Sequence, residues 1–339
     1  MISEDEFVRE YAKVDVIAQK MADRPTFFEV TTALALNWFA SKNVEFAVLE
    51  VGLGGRLDAT NAADAEVVVV TGIGIEHAKE LGGTLEKIAN EKAGIIKQGS
   101  SVVVGKMEKE ALDAIVAAAK EKNAKKILIY GEDFDAAEIA CRSNYSEFDY
   151  RIGNVKFPFE LSLFGRFQGQ NAACAIAAVS LLPEKDKIGI GKLLSGLKKA
   201  RIGARLETVS LSPLVVMDAA HNPQAMEKLA QSLPLFKYKR LVLVFGAMAD
   251  KDIEGVLSAI GPKAGEIIVN QPKVARAANA EWVAKIAGKY CKKVYVIPDV
   301  KKSVAHAKKM ARKGDMVLIA GSIYMIAEAR GKDRLGISM

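Results

Sequence analysis

The chain has 339 residues, and because a domain typically holds about 150, its length favours two domains. Half of the residues are hydrophobic and 26% are charged, which excludes disordered and collagen-like proteins. Its three separated cysteines exclude a disulfide framework, and no apolar run reaches the roughly 18 residues of a membrane span. The acidic start MISEDEFVRE lacks the pattern of a signal peptide, so a cytoplasmic protein is expected.

The net charge of +7 is unevenly distributed. Residues 1–200 carry 25 Lys and Arg against 29 Asp and Glu, whereas residues 201–339 carry 23 against 12. Aromatic residues are few and the lysines are scattered over helical stretches, so nucleic-acid binding is not expected. The basic half is interpreted first as a solvated lysine-rich surface, and attraction of anionic small molecules stays open as the alternative.

The first part of the chain alternates apolar strands and helices from residue 26 onwards. Helices are predicted at 31–41, 84–93 and 109–122, and buried strands at 46–51, 67–71 and 101–104. Short β-like pieces follow over 127–164, and then a buried helix over 171–182. This alternation predicts a parallel α/β sheet.

The second part begins after a basic helix at 191–200, where a domain boundary is predicted. Five further strands are predicted at 215–217, 241–245, 266–269, 293–297 and 316–319, with helices between them. The sequence therefore predicts a first domain over 1–200 and a smaller α/β domain over 201–339.

Candidate functional residues follow the predicted strands, where open α/β sheets bind ligands. Glu50 ends a predicted buried strand and precedes the glycine-rich turn GLGG, so a cation or metal partner is expected for its carboxylate. His77 follows the next strand, and the two could share Mg²⁺ or Mn²⁺. The alternative for GLGG is an ordinary turn with a solvated acid.

Three further stretches each allow a purely structural interpretation. EKAGIIK (91–97) has the pattern of a charged helix end capped by Gly94. DAAHNP (218–223) could bind ribose or phosphate, or could start a helix with an Asn cap followed by Pro. GAMADKD (246–252) is another turn at a strand end.

In series, these motifs resemble the folylpolyglutamate synthase/dihydrofolate synthase branch of the Mur ligase family. The resemblance runs from about residue 26 to the C-terminus and rests on FFE (27–29), LEVGLGGRLDATN (49–61), GIEH (74–77), EKAGIIK (91–97), NAA (171–173), ARLE (204–207), DAAHNP (218–223), DKD (250–252) and GS (321–322). It implies a Mur-ligase central ATPase-type domain with a parallel sheet, followed by a smaller Rossmann-like α/β domain. The implied reaction is ATP-dependent ligation of L-glutamate to a folate or dihydropteroate carboxylate through an acyl phosphate.

The resemblance also implies roles for individual residues. Mg²⁺ would be held by Glu50, His77 and a carbamylated Lys92, and His77 and Lys92 would serve catalysis. ATP would be contacted across the domain cleft by Asn171, Arg205 and Asp218, with His221 nearby. The pterin pocket would be lined by Thr26, Phe27, Phe28, Glu29, Leu57, Asp58 and Ala59. The expected partners are these small molecules alone, with no nucleic acid and no membrane, and the protein is expected to be a monomer.

The sequence departs from the family pattern in three places. Phe167 stands where the family usually has His, and Ala204 interrupts the usual Gly-Arg pair before Leu206. No GxxxxGK(S/T) phosphate loop occurs, so the first domain is expected to be N-terminally truncated, through a clipped start, a split gene or a true loss. Residues 1–339 are therefore expected not to turn over ATP by themselves and to be poorly soluble. The alternatives are a Mur-type ligase for another carboxylate and a non-catalytic pseudo-ligase.

Overall fold

The structure is a computed structural model and describes residues 2–74, 82–142, 145–183 and 188–331. Its contacts divide the chain into two units, each formed from several segments. Unit 1 contains Met1–Asp135, Ile152–Asn154 and Ala173–Gly189; unit 2 contains Ala136–Arg151, Val155–Ala172 and Ile190–Met339. The single boundary expected near residue 200 stays a prediction. None of the helices in the described ranges is long and apolar enough to cross a membrane.

Within its described residues, the first part of the chain forms four α-helices and a small parallel sheet. The helices are α1 (Glu4–Ala18), α2 (Phe27–Ser41), α3 (Leu85–Ala93) and α4 (Lys109–Glu121). The strands are β1 (Val67–Val70), β2 (Ser101–Val104) and β3 (Lys126–Ile129), in the order β1-β2-β3. All four residues of the central strand β2 are buried, because a middle strand of a parallel sheet is covered on both faces.

The strand predicted at 46–51 does not form, and that prediction was wrong. This segment adopts no regular structure, and the side chain of Val48 is 95% exposed. An apolar run becomes a strand only where a neighbouring strand accepts its backbone hydrogen bonds, and no described strand pairs with it. Glu50 is exposed as well, so the expectation that it is buried was also wrong, whereas its role as a metal ligand stays a prediction.

The described residues in the middle of the chain form a second small sheet and two helices. Its strands are β4 (Phe134–Cys141), β5 (Ser146–Ile152) and β6 (Val155–Leu161), in the order β4-β5-β6. The helices that follow are α5 (Arg166–Ser180) and α6 (Ile190–Lys199). These elements confirm the short β-like pieces and the two helices predicted for this part of the sequence.

The last part of the chain forms a six-stranded sheet with helices between the strands. The strands are β7 (Glu207–Leu211), β8 (Leu214–Asp218), β9 (Leu241–Phe245), β10 (Glu266–Val269), β11 (Val294–Val296) and β12 (Met316–Ala320). The helices are α7 (Pro223–Ser232), α8 (Ile253–Ile260), α9 (Ala280–Ala287), α10 (Val300–Met310) and α11 (Ile323–Arg330). The order is β11-β10-β9-β12-β8-β7, and every pairing is parallel except that of β7 with β8.

The five predicted strands of this sheet are confirmed, whereas β7 escaped prediction. Every residue of β9 and β12 is buried, which explains their uninterrupted apolar sequences. Strand β7 has the sequence ETVSL and no buried residue, so it lacks the apolar run that identified the others. The predicted fold class, an α/β chain with a smaller Rossmann-like second part, is confirmed.

Arg240 ties together the amino ends of three strands in unit 2. Its Nη1 donates to Glu266 Oε1 at 2.7 Å, and its Nη2 donates to Asp315 Oδ2 at 2.6 Å. Both carboxylates are buried. Burial alone would raise the pKa of Asp315, but the Arg240 guanidinium and the backbone N–H of Arg312 outweigh it and lower that pKa below its ordinary value.

Replacing Arg240 by Met should lower the free energy of unfolding by about 3–5 kcal/mol near neutral pH, because the buried carboxylate of Asp315 loses its cation and that of Glu266 keeps only Lys293, at 3.5 Å. Because the pKa of Asp315 is lowered in the folded state, its contribution is present above about pH 4 and is lost as the pH falls further. The difference between Arg240→Met and the wild type should therefore shrink in acid. Urea denaturation at about pH 7 and about pH 3 measures this effect.

The matched control is Lys263→Met, which removes an exposed cation from the same unit. Its free energy of unfolding should stay within about 0.5 kcal/mol of the wild type. If the Arg240→Met protein were as stable as this control, the ion pairs of Arg240 with Glu266 and Asp315 would contribute nothing to the free energy of unfolding.

Candidate functional site

The glycine-rich loop 52–62 lies directly against the carboxyl end of α3. An ideal Cβ on Gly55 would lie 2.6 Å from the carbonyl oxygen of Glu91 and 3.0 Å from the Cα of Lys92. An ideal Cβ on Gly94 would lie 2.4 Å from the Cβ of Arg56. Only glycine allows two backbones to approach so closely, and this contact requires it on both sides.

Polar contacts fasten the same two segments. The backbone N–H of Arg56 donates to the carbonyl of Glu91 at 2.9 Å, and the two side chains form an ion pair at 3.0 Å. The amide of Asn61 donates to the carbonyls of Arg56 and Gly94 at 3.0 and 3.1 Å, and Lys97 Nζ donates to the carbonyl of Asn61 at 2.7 Å. The motifs GLGGRLDATN and EKAGIIK therefore fold as one piece, which we call the glycine lock (residues 52–62 and 91–97).

Asp58, a predicted substrate residue, shapes the turn of the glycine lock. Its Oδ2 accepts the backbone N–H groups of Gly52 and Leu53, each at 3.0 Å. Its Oδ1 accepts the backbone N–H and the hydroxyl of Thr60 at 3.0 and 2.6 Å. Partial burial raises the pKa of Asp58, but these hydrogen bonds outweigh it and lower that pKa overall. Ala59 follows as the first residue of a short 3₁₀ helix.

The other predicted substrate residues lie at the start of α2 and on the loop. Thr26 and Glu29 cap the helix reciprocally: the Thr26 N–H donates to Glu29 Oε2 at 2.7 Å, and the Glu29 N–H donates to Thr26 Oγ1 at 3.3 Å. The ring of Phe28 lies so close to Gly52 that a Cβ there would be 2.8 Å from it. Phe27 and Leu57 are 84% and 80% exposed, so the surface beside the lock presents large apolar side chains.

Only two of the three predicted metal ligands lie within the described residues, and His77 falls outside them. Glu50 is exposed and Lys92 is half-buried. Among the described residues no cluster of three carboxylate, imidazole or thiol side chains could hold a metal. Nevertheless, the backbone of Lys92 contacts Gly55, which follows Glu50 by five residues. A carboxylate, an imidazole and a carbamylated lysine form a donor set that fits Mg²⁺ chemically.

In unit 2, Asp218 ends β8 with its side chain only 7% exposed. Its Oδ2 accepts the N–H of Leu206 at 2.8 Å and its Oδ1 accepts the N–H of Ala220 at 2.9 Å. Burial raises the pKa of Asp218, and the two hydrogen bonds and the charge of Arg205 oppose this only in part. The carboxylate therefore fastens the preceding loop to the end of the strand.

The loop held by Asp218 has an unusual backbone. Ala204 and Leu206 adopt φ angles of 58° and 47°, in the left-handed region that side chains disfavour. The backbone N–H of Ala219 donates to the carbonyl of Ala204 at 2.8 Å and supports this conformation. Arg205 lies between the two strained residues, and its side chain is exposed at the edge of the sheet.

The DAAHNP segment follows Asp218 and starts α7. Asn222 Oδ1 accepts the N–H of Ala225 at 2.7 Å, with Pro223 in the first turn, which confirms the predicted helix start. His221 is exposed, and its Nδ1 donates to the carbonyl of Ala219 at 2.9 Å, so Nε2 faces no described partner. Asn171 is exposed on α5, and its amide lies 3.4 Å from Gln168 Oε1.

Sequence reasoning overlooked Asn61 and Arg56, which the structure places at the centre of the glycine lock. The available signal was the pairing of two glycine-containing motifs, because glycines in both segments indicate that their backbones approach each other.

Comparison with known proteins gives consistent matches over most of the chain. The Mur ligase middle domain matches residues 9–179, and the Mur ligase glutamate ligase domain matches residues 204–323. A probable bifunctional folylpolyglutamate synthase/dihydropteroate synthase of Halobacterium salinarum is 36% identical over 324 residues, covering 93% of this chain but 38% of that protein. The dihydrofolate synthase/folylpolyglutamate synthase of Bacillus subtilis is 33% identical over 325 residues, covering 94% of this chain and 74% of that protein.

Solved structures agree with these matches. The folylpolyglutamate synthase of Mycobacterium tuberculosis, complexed with ADP and AMPPCP, superposes with a TM-score of 0.85 at 29% identity. That comparison covers 97% of this chain and 79% of the other. The bifunctional folylpolyglutamate synthase/dihydrofolate synthase of Yersinia pestis, complexed with AMPPNP and a manganese ion, gives 0.79 at 27% identity, covering 96% and 75%.

Substitution of Gly55 or Gly94 by Ala should each lower the free energy of unfolding by about 1–3 kcal/mol, because the added methyl group meets backbone or Cβ atoms that cannot yield freely. The measurement is denaturant unfolding. Gly196→Ala serves as the control, since a Cβ there meets nothing within 4 Å and alanine favours the surrounding helix. If all three variants were equally stable, the glycine lock would not be a close contact.

Proposed function

Because this chain belongs to the Mur ligase family, in its folylpolyglutamate synthase/dihydrofolate synthase branch, we propose that it ligates L-glutamate to a folate or dihydropteroate carboxylate with ATP. The observation that carries the proposal is the glycine lock, in which the two motifs specific to this branch fold against each other. That contact fixes the backbone of Lys92 beside the loop that follows Glu50.

The proposed reaction proceeds in two steps. An oxygen of the substrate carboxylate attacks the γ-phosphorus of ATP, and the bond between that phosphorus and the β-phosphate oxygen breaks. ADP is released, and the substrate becomes an acyl phosphate. The amine of glutamate then attacks the acyl carbon, phosphate leaves, and the amine loses a proton as the amide forms. The protein contributes mainly by positioning the reactants and stabilising negative charge.

In unit 1, Glu50, His77 and carbamylated Lys92 would hold the Mg²⁺. Carbamylation attaches carbon dioxide to Nζ and converts a cation, which cannot ligate a metal, into a carboxylate, which can. When bound, Mg²⁺ supplies positive charge to the phosphoryl oxygens as they are transferred. The half-buried side chain of Lys92 suits this modification, because no described residue already holds its amine in an ion pair.

The pterin would bind at the apolar surface beside the lock. Phe27 and Leu57 are available there because neither packs into the core, while Phe28 contacts Gly52. Aromatic faces suit stacking on a planar pterin ring. Thr26, Glu29, Asp58 and Ala59 support this surface through the helix cap and the turn, since their polar atoms are engaged there.

In unit 2, Arg205 and His221 would contact the ATP, since both are exposed at the carboxyl edge of the sheet. Asp218 would orient them, because its carboxylate accepts the N–H of Leu206, next to Arg205, and the N–H of Ala220, next to His221. Asn171 on α5 would supply a further amide for the nucleotide. We also propose that the protein acts as a cytoplasmic monomer and that 1–200 and 201–339 are its domains.

The proposal is tested with the protein expressed from its complete reading frame. Phosphate release and incorporation of labelled glutamate are measured with ATP, Mg²⁺ and either dihydropteroate or a reduced folate. The expected result is glutamate incorporation equal to phosphate release and dependent on the pterin acid. Binding of the pterin without either product would indicate a pseudo-ligase, and activity confined to other carboxylates would indicate a different Mur-type ligase.

Replacement of Lys92 by Ala should reduce ligation by about 100-fold or more, because the metal loses a carboxylate ligand. Short carboxylates such as acetate should restore part of this activity. Lys92→Arg should be as inactive as Lys92→Ala, since a guanidinium keeps the charge but does not form the carbamate. Near-normal turnover by the arginine variant would reduce Lys92 to a cation at the end of a helix.

Replacement of Glu50 by Gln should weaken Mg²⁺-dependent nucleotide binding by about 10-fold or more, because a neutral amide is a poor ligand for a hard cation. The free energy of unfolding should not change, since Glu50 is exposed and joins no described hydrogen bond. Calorimetric titration of AMPPCP with and without Mg²⁺ measures the effect. Glu45→Gln, at another exposed acid of the same segment, is the control, and equal Mg²⁺ dependence in both variants would remove Glu50 from the metal site.

A further inference from the structure

Unit 2 contains a cavity of about 940 Å³ at the amino ends of its strands. Its walls include the turn between β7 and β8, the segment before β9, and the 311–315 turn before β12. The proposed ATP residues follow the opposite, carboxyl ends of the same sheet. A five-residue strand spans about 15 Å, so the cavity is separate from the Asp218 edge.

Cations dominate the charge of this cavity. Its lining contains Lys237, Arg312 and Lys313, none of which makes a side-chain hydrogen bond or ion pair with any described residue. The fourth cation, Arg142, is already paired with Glu147 at 2.8 Å. Three positive charges therefore line the same space, and the only acid in the described lining is Asp315, which interacts with Arg312 as well as with Arg240.

The single acid in the described lining is already neutralised. Asp315 Oδ2 accepts two hydrogen bonds from Arg240, at 2.6 and 3.1 Å, and one from the backbone N–H of Arg312 at 2.8 Å. The turn that presents Arg312 and Lys313 is also fixed at Gly314, whose carbonyl accepts the N–H of Lys239 at 2.7 Å. Arg312 and Lys313 thus extend from a turn whose backbone is held by hydrogen bonds, so that binding an anion would order their side chains but not the turn itself.

The rest of the lining is largely apolar. It includes Leu211, Pro213, Leu214, Leu235 and Phe236, so a purely inorganic anion would leave much of this surface without a complementary partner. Ligand pockets commonly combine an apolar wall with a few polar groups, and the volume lies in their usual range. A ligand with both an apolar body and several negative charges would match this surface.

We propose that this cavity, which we call the amino-edge pocket, binds a small organic polyanion with an apolar or aromatic body and two or more phosphate or carboxylate groups. The apolar wall takes the body, and Lys237, Arg312 and Lys313 take the charges. Nucleoside triphosphates and glutamylated pterins share this chemistry. Such binding would be additional to the proposed active site and would not depend on its chemistry.

The test compares one lining variant with a control that changes the net charge equally. The lining variant is Lys237→Glu/Arg312→Glu, and the control is Lys263→Glu/Lys285→Glu, two exposed unit 2 lysines outside the pocket. Calorimetric titration uses three probes without Mg²⁺: ATP, pteroylpentaglutamate and inorganic tripolyphosphate. Lys237→Gln/Arg312→Gln supplies a second lining variant, and thermal melting verifies that each protein is folded.

The dissociation constant of one binding event of ATP or pteroylpentaglutamate should rise by about tenfold or more in both lining variants. In the control it should stay within about twofold of the wild-type value. Whichever organic probe shows the loss identifies the source of the ligand. The proposal is overturned if every probe binds the wild type, lining and control proteins equally, or if no probe binds at all. It is also overturned if tripolyphosphate binds as tightly as the organic probes, because the apolar wall would then contribute nothing.

Discussion

The candidate site of unit 1 depends on two glycines, because neither has a side chain to keep the facing backbone away. Gly55 and Gly94 allow the loop and the end of α3 to approach until backbone atoms touch, and a single methyl group at either position would separate them. The Arg56–Glu91 pair and both hydrogen bonds from Asn61 require that separation to stay small. The position of Lys92 relative to the turn therefore follows from steric exclusion, and the polar contacts refine it.

In unit 2, buried charged side chains hold neighbouring segments together. Asp218 at one edge of the sheet and Arg240 at the other are each buried or half-buried, and each fastens several segments by charge-assisted hydrogen bonds. The two edges of the sheet differ in the side chains that they leave available for a ligand. At the carboxyl edge Arg205 and His221 are exposed beside a fixed backbone, whereas at the amino edge the cations lie over an apolar wall. A single sheet thus offers two chemically distinct surfaces.

The sequence predicted the architecture well because most of its strands are apolar runs that parallel sheets bury on both faces. β9, β10 and β12 are of this kind. The two failures have a common cause: whether a segment becomes a strand depends on its neighbours as well as on its composition. Residues 46–51 are apolar but find no described partner, and β7 is polar but pairs with β8.

The candidate site was predictable in its motifs but not in its contacts. Gly94 was expected to cap α3, and it does stand at the cap, yet its φ of −59° is available to any residue. What demands glycine there is the side chain of Arg56, thirty-eight positions earlier in the sequence. Asp58 was expected to line the pterin pocket, which stays a prediction, and its sequence context did not show that its carboxylate would accept four local hydrogen bonds. The contact between Gly94 and Arg56 is distant in sequence, so a local pattern does not reveal it.

The edges of the sheets have a consequence for how the chain behaves at high concentration. In unit 2 the edge strand β7 carries an irregularity between Thr208 and Ser210, and β11 at the other edge has only three residues. Both features make poor templates for an incoming strand. In unit 1, β1 is a run of four valines with no described strand on its outer side, and Val48 lies exposed in an apolar segment nearby in sequence. Among the described strands, an incoming strand would therefore find its better template in unit 1, at β1.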